Sequence, residues 1–122
     1  MNFDFSDDQK SLKDQARTFL SEKASSKVTR SVLDDAEKSY HKDLWRAVAE
    51  MGWLGVAIPE EHGGLGLGRL ELCVLAEEIG RAVAPIPFSS TVYFFAEALM
   101  LAGTDAQKGA HLPNVASGET IG

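Results

Sequence analysis

Apolar residues recur at helical spacing in four stretches of this 122-residue chain, and only one short run, residues 53–58, has the look of a strand. A lone strand has no partner to complete a sheet. The pattern therefore restricts the chain to an all-α fold of five to six helices. The first stripe is Leu12, Ala16, Phe19 and Leu20, which predicts a helix over residues 7–23. Ser6 with Gln9 three residues later reads as a capping box, and Asp7 and Asp8 suit the positive end of the helix dipole. Leu44, Val48 and Met51 give a helix over residues 42–51, stopped by Gly52. Leu72, Ala76, Ile79 and Val83 give another over residues 69–83, ended by Pro85 and Pro87.

Residues 88–102 are the most apolar segment. Val92, Phe95 and Leu99 share one face, while Phe94, Ala98 and Leu101 share another. A helix apolar on most sides is expected to be buried and central. Residues 24–39 give a weaker helix, because serine and threonine compete with the backbone for hydrogen bonds. Thr104 or Asp105 caps a short helix to about His111, which Pro113 is expected to break. Connections are short, so neighbouring helices are expected to pack roughly antiparallel.

Composition narrows the function. With 12 Lys+Arg against 18 Asp+Glu the net charge is -6, which disfavours nucleic acid as a partner. No apolar run reaches the roughly 20 residues of a membrane span. One cysteine, Cys73, excludes an internal disulfide and suits a reducing, cytoplasmic setting; it reads as a small core residue rather than a nucleophile. His41, His62 and His111 lie in separate segments with no second ligand at metal-binding spacing. The glycines at 63, 64, 66 and 68 match neither a Walker loop nor a dinucleotide fingerprint, because Arg69-Leu70 and Glu71 stand where Lys-Ser/Thr or a third glycine belongs. Glu60-Glu61 and Glu77-Glu78 read as solvated pairs rather than a catalytic dyad. Residue spacing alone thus assigns no catalytic residue and no metal site.

The order of longer strings goes further. Leu44-Trp45-Arg46, the run from Ala49 through Gly52-Trp53-Leu54-Gly55 to Pro59-Glu60-Glu61-His62-Gly63-Gly64, Ala76-Glu77-Glu78-Ile79-Gly80-Arg81, Ala84-Pro85-Ile86-Pro87-Phe88, and Leu112-Pro113-Asn114 through Gly118-Glu119 occur in register. Together they resemble the N-terminal helical domain of acyl-CoA dehydrogenases along essentially the whole chain. The resemblance implies an up-and-down orthogonal bundle spanning residues 1–122 and ending before a middle β-domain. It implies a role in an FAD-dependent enzyme that oxidises the Cα–Cβ bond of an acyl-CoA thioester. The catalytic carboxylate and the main flavin-binding segment lie outside this chain in that family, so the chain alone is expected to be inactive and not to hold FAD tightly. It then reads as a truncated, cleaved or partial product of a longer protein.

By the same resemblance, residues 85–99 line the acyl pocket, with Ile86, Pro87, Phe88 and Phe94 as apolar wall and Ser90 and Thr91 as polar edge. Cofactor-binding residues are not assigned. The implied partners are the acyl-CoA substrate, the remaining domains or partner subunits, and further copies in a homo-oligomer. The alternatives are a stand-alone helical interaction module acting through a partner chain and the equivalent domain of an acyl-CoA oxidase.

Overall fold

A computed structural model describes residues 3–122. Among the described residues there are six α-helices and no strand: α1 (Asp7–Lys23), α2 (Ser26–Leu33), α3 (Lys42–Glu50), α4 (Arg69–Arg81), α5 (Glu97–Ala102) and α6 (Asp105–Ser117). Two single 3-10 turns, Trp53–Gly55 and Glu60–His62, follow α3. A π-helical segment, Ser89–Ala96, runs directly into α5. The all-α expectation holds. The chain forms two compact units: unit 1 from Met1–His41 and Arg69–Pro85, unit 2 from Lys42–Gly68 and Ile86–Gly122.

In unit 1, α1 starts and stops where its sequence says. The Ser6 hydroxyl accepts the Gln9 N–H at 3.2 Å, and the Gln9 side-chain oxygen accepts the Ser6 N–H at 2.9 Å. Such a cap contributes about 1 kcal/mol. Ala16 and Leu20 are buried, and α1 packs on α4. The buried face of α4 differs from the expected stripe. Val74, Leu75, Glu78 and Ile79 are buried, while Leu72 and Ala76 are half-buried and Val83 is exposed. A charged position takes the centre of the face because Arg17 on α1 meets Glu78 there. The weak helix expected over residues 24–39 is reduced to α2. Beyond it Asp35 turns the chain: its carboxylate accepts the Glu37 N–H at 3.0 Å and its carbonyl the Lys38 N–H at 3.1 Å. That local bonding competes with helix continuation.

The end of α4 carries an unusual residue. The Ala84 N–H bonds to Ile79 O at 3.2 Å and the Val83 N–H to Gly80 O at 3.0 Å. This pair of bonds is a Schellman motif, and it puts Val83 where glycine is usual. Val83 has φ 49°, and the residue is 66% exposed. Left-handed backbone costs a non-glycine residue about 1–2 kcal/mol. Glycine's extra freedom in the unfolded chain costs back about 0.5–1 kcal/mol. Val83→Gly is therefore expected to raise stability by about 0.5–1 kcal/mol. Urea denaturation followed by circular dichroism checks this; a lower midpoint than the parent would refute the strain at this site.

In unit 2, α3 buries Leu44, Trp45 and Val48, and Gly52 at φ 78° ends it. The run over residues 53–58 is not extended. It folds into a turn that buries Trp53, Leu54, Val56 and Ile58, and α6 packs on it. A β-carbon on Gly55 would lie 3.0 Å from that of Ala116 on α6, so the close approach depends on glycine. α6 opens with a second capping box, Thr104 with Gln107. It then runs through Pro113 without the expected break. Pro113 lies on the exposed face, and the carbonyl it leaves without a donor belongs to exposed Gly109, open to water. Leu112 and Val115 on the other face are fully buried with Ile58 and Ala96, which holds the helix through the proline.

Residues 88–102 are not buried on most sides. Phe88, Thr91, Val92 and Ala96 face inward, whereas Ser90, Phe94, Ala98 and Leu101 are exposed. Only one side of this helix meets the rest of unit 2, so its second apolar face is left uncovered.

Candidate functional site: the outer face of the π-helical segment

Two prolines precede this face. Pro85 lies at the end of unit 1, where its carbonyl accepts the His41 N–H at 2.9 Å. Pro87 opens the helix in unit 2, a position where its missing N–H removes no intrahelical bond. Its carbonyl accepts the Thr91 N–H at 3.4 Å and the Ser90 hydroxyl at 3.4 Å. Phe88 packs inward against Tyr93, edge to face, with ring centroids 5.5 Å apart. π-helical stretches are rare and occur frequently at functional sites.

The six residues expected to line a pocket separate by face. Ser90 and Phe94 point outward, with Phe94 72% exposed. Ile86 and Pro87 are half-buried at the bend. Phe88 and Thr91 are buried, so they hold the helix from within. The outward face continues along α5 through Ala98 to Leu101.

One feature was not legible from spacing. A groove of about 310 Å³ lies between α5 and α6, lined by Phe95, Ala98, Leu99, Ala102, Gln107 and His111. Phe95 meets the His111 ring edge to face at 6.2 Å. None of the six expected residues lines it. It forms because the turn at Gly103 folds α6 back beside α5, a tertiary event with no periodic signal.

The polar groups elsewhere are committed. Arg17 Nε and Nη2 donate to the two Glu78 carboxylate oxygens at 3.1 and 2.8 Å, and Lys13 Nζ lies 3.9 Å away. The Glu78 side chain is 1% exposed. The Arg17 hydrogen bonds outweigh desolvation and hold its carboxyl below the usual carboxylate range. This corrects the reading of Glu78 as a solvated residue; Glu77 is exposed as expected and pairs with Lys13 at 2.8 Å. Cys73 is exposed rather than in the core. His62 Nε2 lies 3.8 Å from the Glu61 carboxylate. Among the described residues no three His, Cys, Asp or Glu side chains gather as metal ligands.

The glycine loop uses its own donors. The N–H groups of Gly64, Leu65, Gly66 and Leu67 bond to the carbonyls of Pro59, Gly55, Ile58 and Val56 at 2.8–3.1 Å. A phosphate cradle needs such groups free and convergent. This loop offers none of the four.

The family model described as acyl-CoA dehydrogenase, N-terminal domain, matches residues 6–119. The mitochondrial isovaleryl-CoA dehydrogenase of Arabidopsis thaliana is 35% identical over 122 residues, covering 97% of this chain and 29% of that protein. The solved acyl-CoA dehydrogenase of Bacillus anthracis, complexed with FAD, is similar with a TM-score of 0.83 at 28% identity, over 97% of this chain and 20% of that one. A glutaryl-coenzyme A dehydrogenase in its glutaryl-CoA complex gives a TM-score of 0.82 at 27% identity, over 100% of this chain and 31% of that one. The chain thus spans between 20% and 31% of the length of these relatives.

Proposed function

The chain belongs to the acyl-CoA dehydrogenase N-terminal domain family, and from that premise we propose that residues 1–122 act as one helical domain of a flavin-dependent acyl-CoA dehydrogenase. That enzyme oxidises the Cα–Cβ bond of an acyl-CoA thioester. The contribution of this chain is one wall of the acyl pocket. The observation that supports this reading is the uncovered face of Ser90, Phe94, Ala98 and Leu101, entered through the Pro85-Ile86-Pro87 bend. Pocket walls are mostly apolar with a few polar groups, and Ser90 beside Phe94 supplies that mixture. Ile86 and Pro87 extend the wall, while Phe88 and Thr91 brace it from inside.

FAD enters the proposal through the flavin-bound relative. The glycine loop does not fit as its phosphate cradle, since its donors are taken. We therefore assign FAD and the catalytic base to parts of the assembled enzyme outside this chain. Glu78, tied to Arg17, is not available as a base. No helix of the described residues is long and apolar enough to cross a membrane. A homo-oligomer in the cytoplasm, with the exposed apolar face covered by the other domains or subunits, completes the proposal.

The test is Phe94→Ala in the full-length enzyme. In this chain by itself, where Phe94 is exposed, the same substitution should change stability by no more than about 0.5 kcal/mol. The kcat/KM profile against acyl chain length should shift by about tenfold between favoured and disfavoured lengths. A profile that superimposes on the parent's would remove Phe94 from the wall.

A further inference from the structure

The tail after α6 has no regular structure, yet it is tied at every second residue. Gly118 at φ 82° caps α6, and its carbonyl accepts the Trp45 indole N–H at 2.9 Å. The Thr120 N–H donates to Asn114 O at 3.1 Å. The Gly122 N–H donates to Thr91 Oγ1 at 3.2 Å. Terminal stretches usually fray unless something ties them down. Here α3, α6 and the π-helical segment each hold one point of the tail.

The third tie is specific on both sides. Thr91 is 0% exposed, so its hydroxyl sits where an unpaired polar group is costly. Valine fills nearly the same volume without that cost, so packing alone does not call for threonine. Across from it, a β-carbon on Gly122 would run into the Phe95 ring. Any residue other than glycine would have to leave this path.

We infer that Thr91 and Phe95 form a latch that fixes the course of the chain at Gly122 against the helix whose outer face carries Ser90 and Phe94. The inference rests on the proposed function. The chain spans 20–31% of the length of its relatives, and in the assembled enzyme the latch sets the register between the acyl-facing helix and residues 118–122. Thr91 is then a positioning residue. Its hydroxyl meets backbone, and its side chain is buried whereas Phe94 is exposed.

The test uses the longest natural chain that carries these residues, with Thr91→Val, Thr91→Ser and Gly122→Ala. Amide hydrogen exchange is read at Gly122 and in α6, together with kcat and KM for a straight-chain acyl-CoA. In Thr91→Val, exchange at Gly122 should quicken about tenfold, the effect of losing one part-buried hydrogen bond, with α6 unchanged. Thr91→Ser should restore it, and Gly122→Ala should mimic Thr91→Val. In Thr91→Val kcat should fall about tenfold while KM stays within about twofold, because positioning is lost rather than ground-state binding. Unchanged exchange at Gly122, quickening spread evenly over unit 2, or no rescue by serine would overturn the latch. Altered exchange with parental kcat would overturn its positioning role. If the parent oxidises no acyl-CoA, the functional reading fails, and the exchange data still decide the latch.

Discussion

Gly64→Ala is expected to unfold unit 2 under conditions where the parent is stable. The new β-carbon would collide with the backbone carbonyl and the β-carbon of Ile58. Backbone cannot rotate aside as a flexible side chain can. Moving it would break the bonds from Gly64 N–H to Pro59 O at 3.1 Å and from Gly66 N–H to Ile58 O at 2.9 Å. Ile58 itself is buried with Ala96, Leu112 and Val115, so the disturbance reaches the core. A loss of about 3 kcal/mol or more follows, a large share of a stability of about 5–15 kcal/mol. Gly80→Ala is the control. Nothing lies within 4 Å of a β-carbon there, and the residue is exposed on α4. It should gain about 0.5–1 kcal/mol from helix propensity. Chemical denaturation of both variants decides the matter, and a Gly64→Ala midpoint at or above the parent's would show the loop does not approach Ile58 this closely.

Arg17→Met is expected to lower the melting temperature by roughly 5–10 °C at neutral pH. The substitution keeps the aliphatic stem but leaves the Glu78 carboxylate buried with only the weaker influence of Lys13, at 3.9 Å, and of the Arg81 charge. Adding Glu78→Leu to it should recover most of the loss, since removing both charges leaves no orphan. The pair also fixes the acid limb. Glu78 has a lower pKa folded than unfolded, because Arg17 hydrogen-bonds its ionised form. The unfolded chain therefore binds the extra proton, and stability rises with pH across that interval. The contribution is complete above the unfolded carboxylate value of about 4.3 and is lost as the pH falls through the lower folded value. Melting curves between pH 7 and pH 3 should show this limb in the parent and a shallower one in Glu78→Leu. Parallel curves would mean the pair does not titrate as described.

How far a sequence reading carries depends on where the deciding partner lies. α1 was legible to the residue, because its cap, its acidic first turn and its stripe are all local. The buried face of α4 was not. Glu78 belongs at its centre only because Arg17 arrives from 61 residues away. The two faces of residues 88–102 were both visible as periodicity, but periodicity does not say which face meets neighbours. Phe94 and Phe88 look equally apolar in the sequence and end on opposite sides. Thr91 reads as a polar edge by residue type, whereas its partner is Gly122, 31 residues on. Pro113 carried a strong local signal to break α6. Burial of Leu112 and Val115 overrode it, and the exposed carbonyl of Gly109 kept the cost small.

The order in which the two units take up the chain limits how it can be dissected. Unit 1 uses the first and third stretches of sequence, and unit 2 the second and fourth. No single cut of the backbone can therefore liberate either unit whole. A protease that nicks the exposed loop at Gly66 or Leu67 would yield two peptides, each holding part of both units. Such a nicked protein would travel as one species on a sizing column and separate only in denaturant. Expression of either unit would likewise require two segments to be joined artificially or supplied as separate peptides.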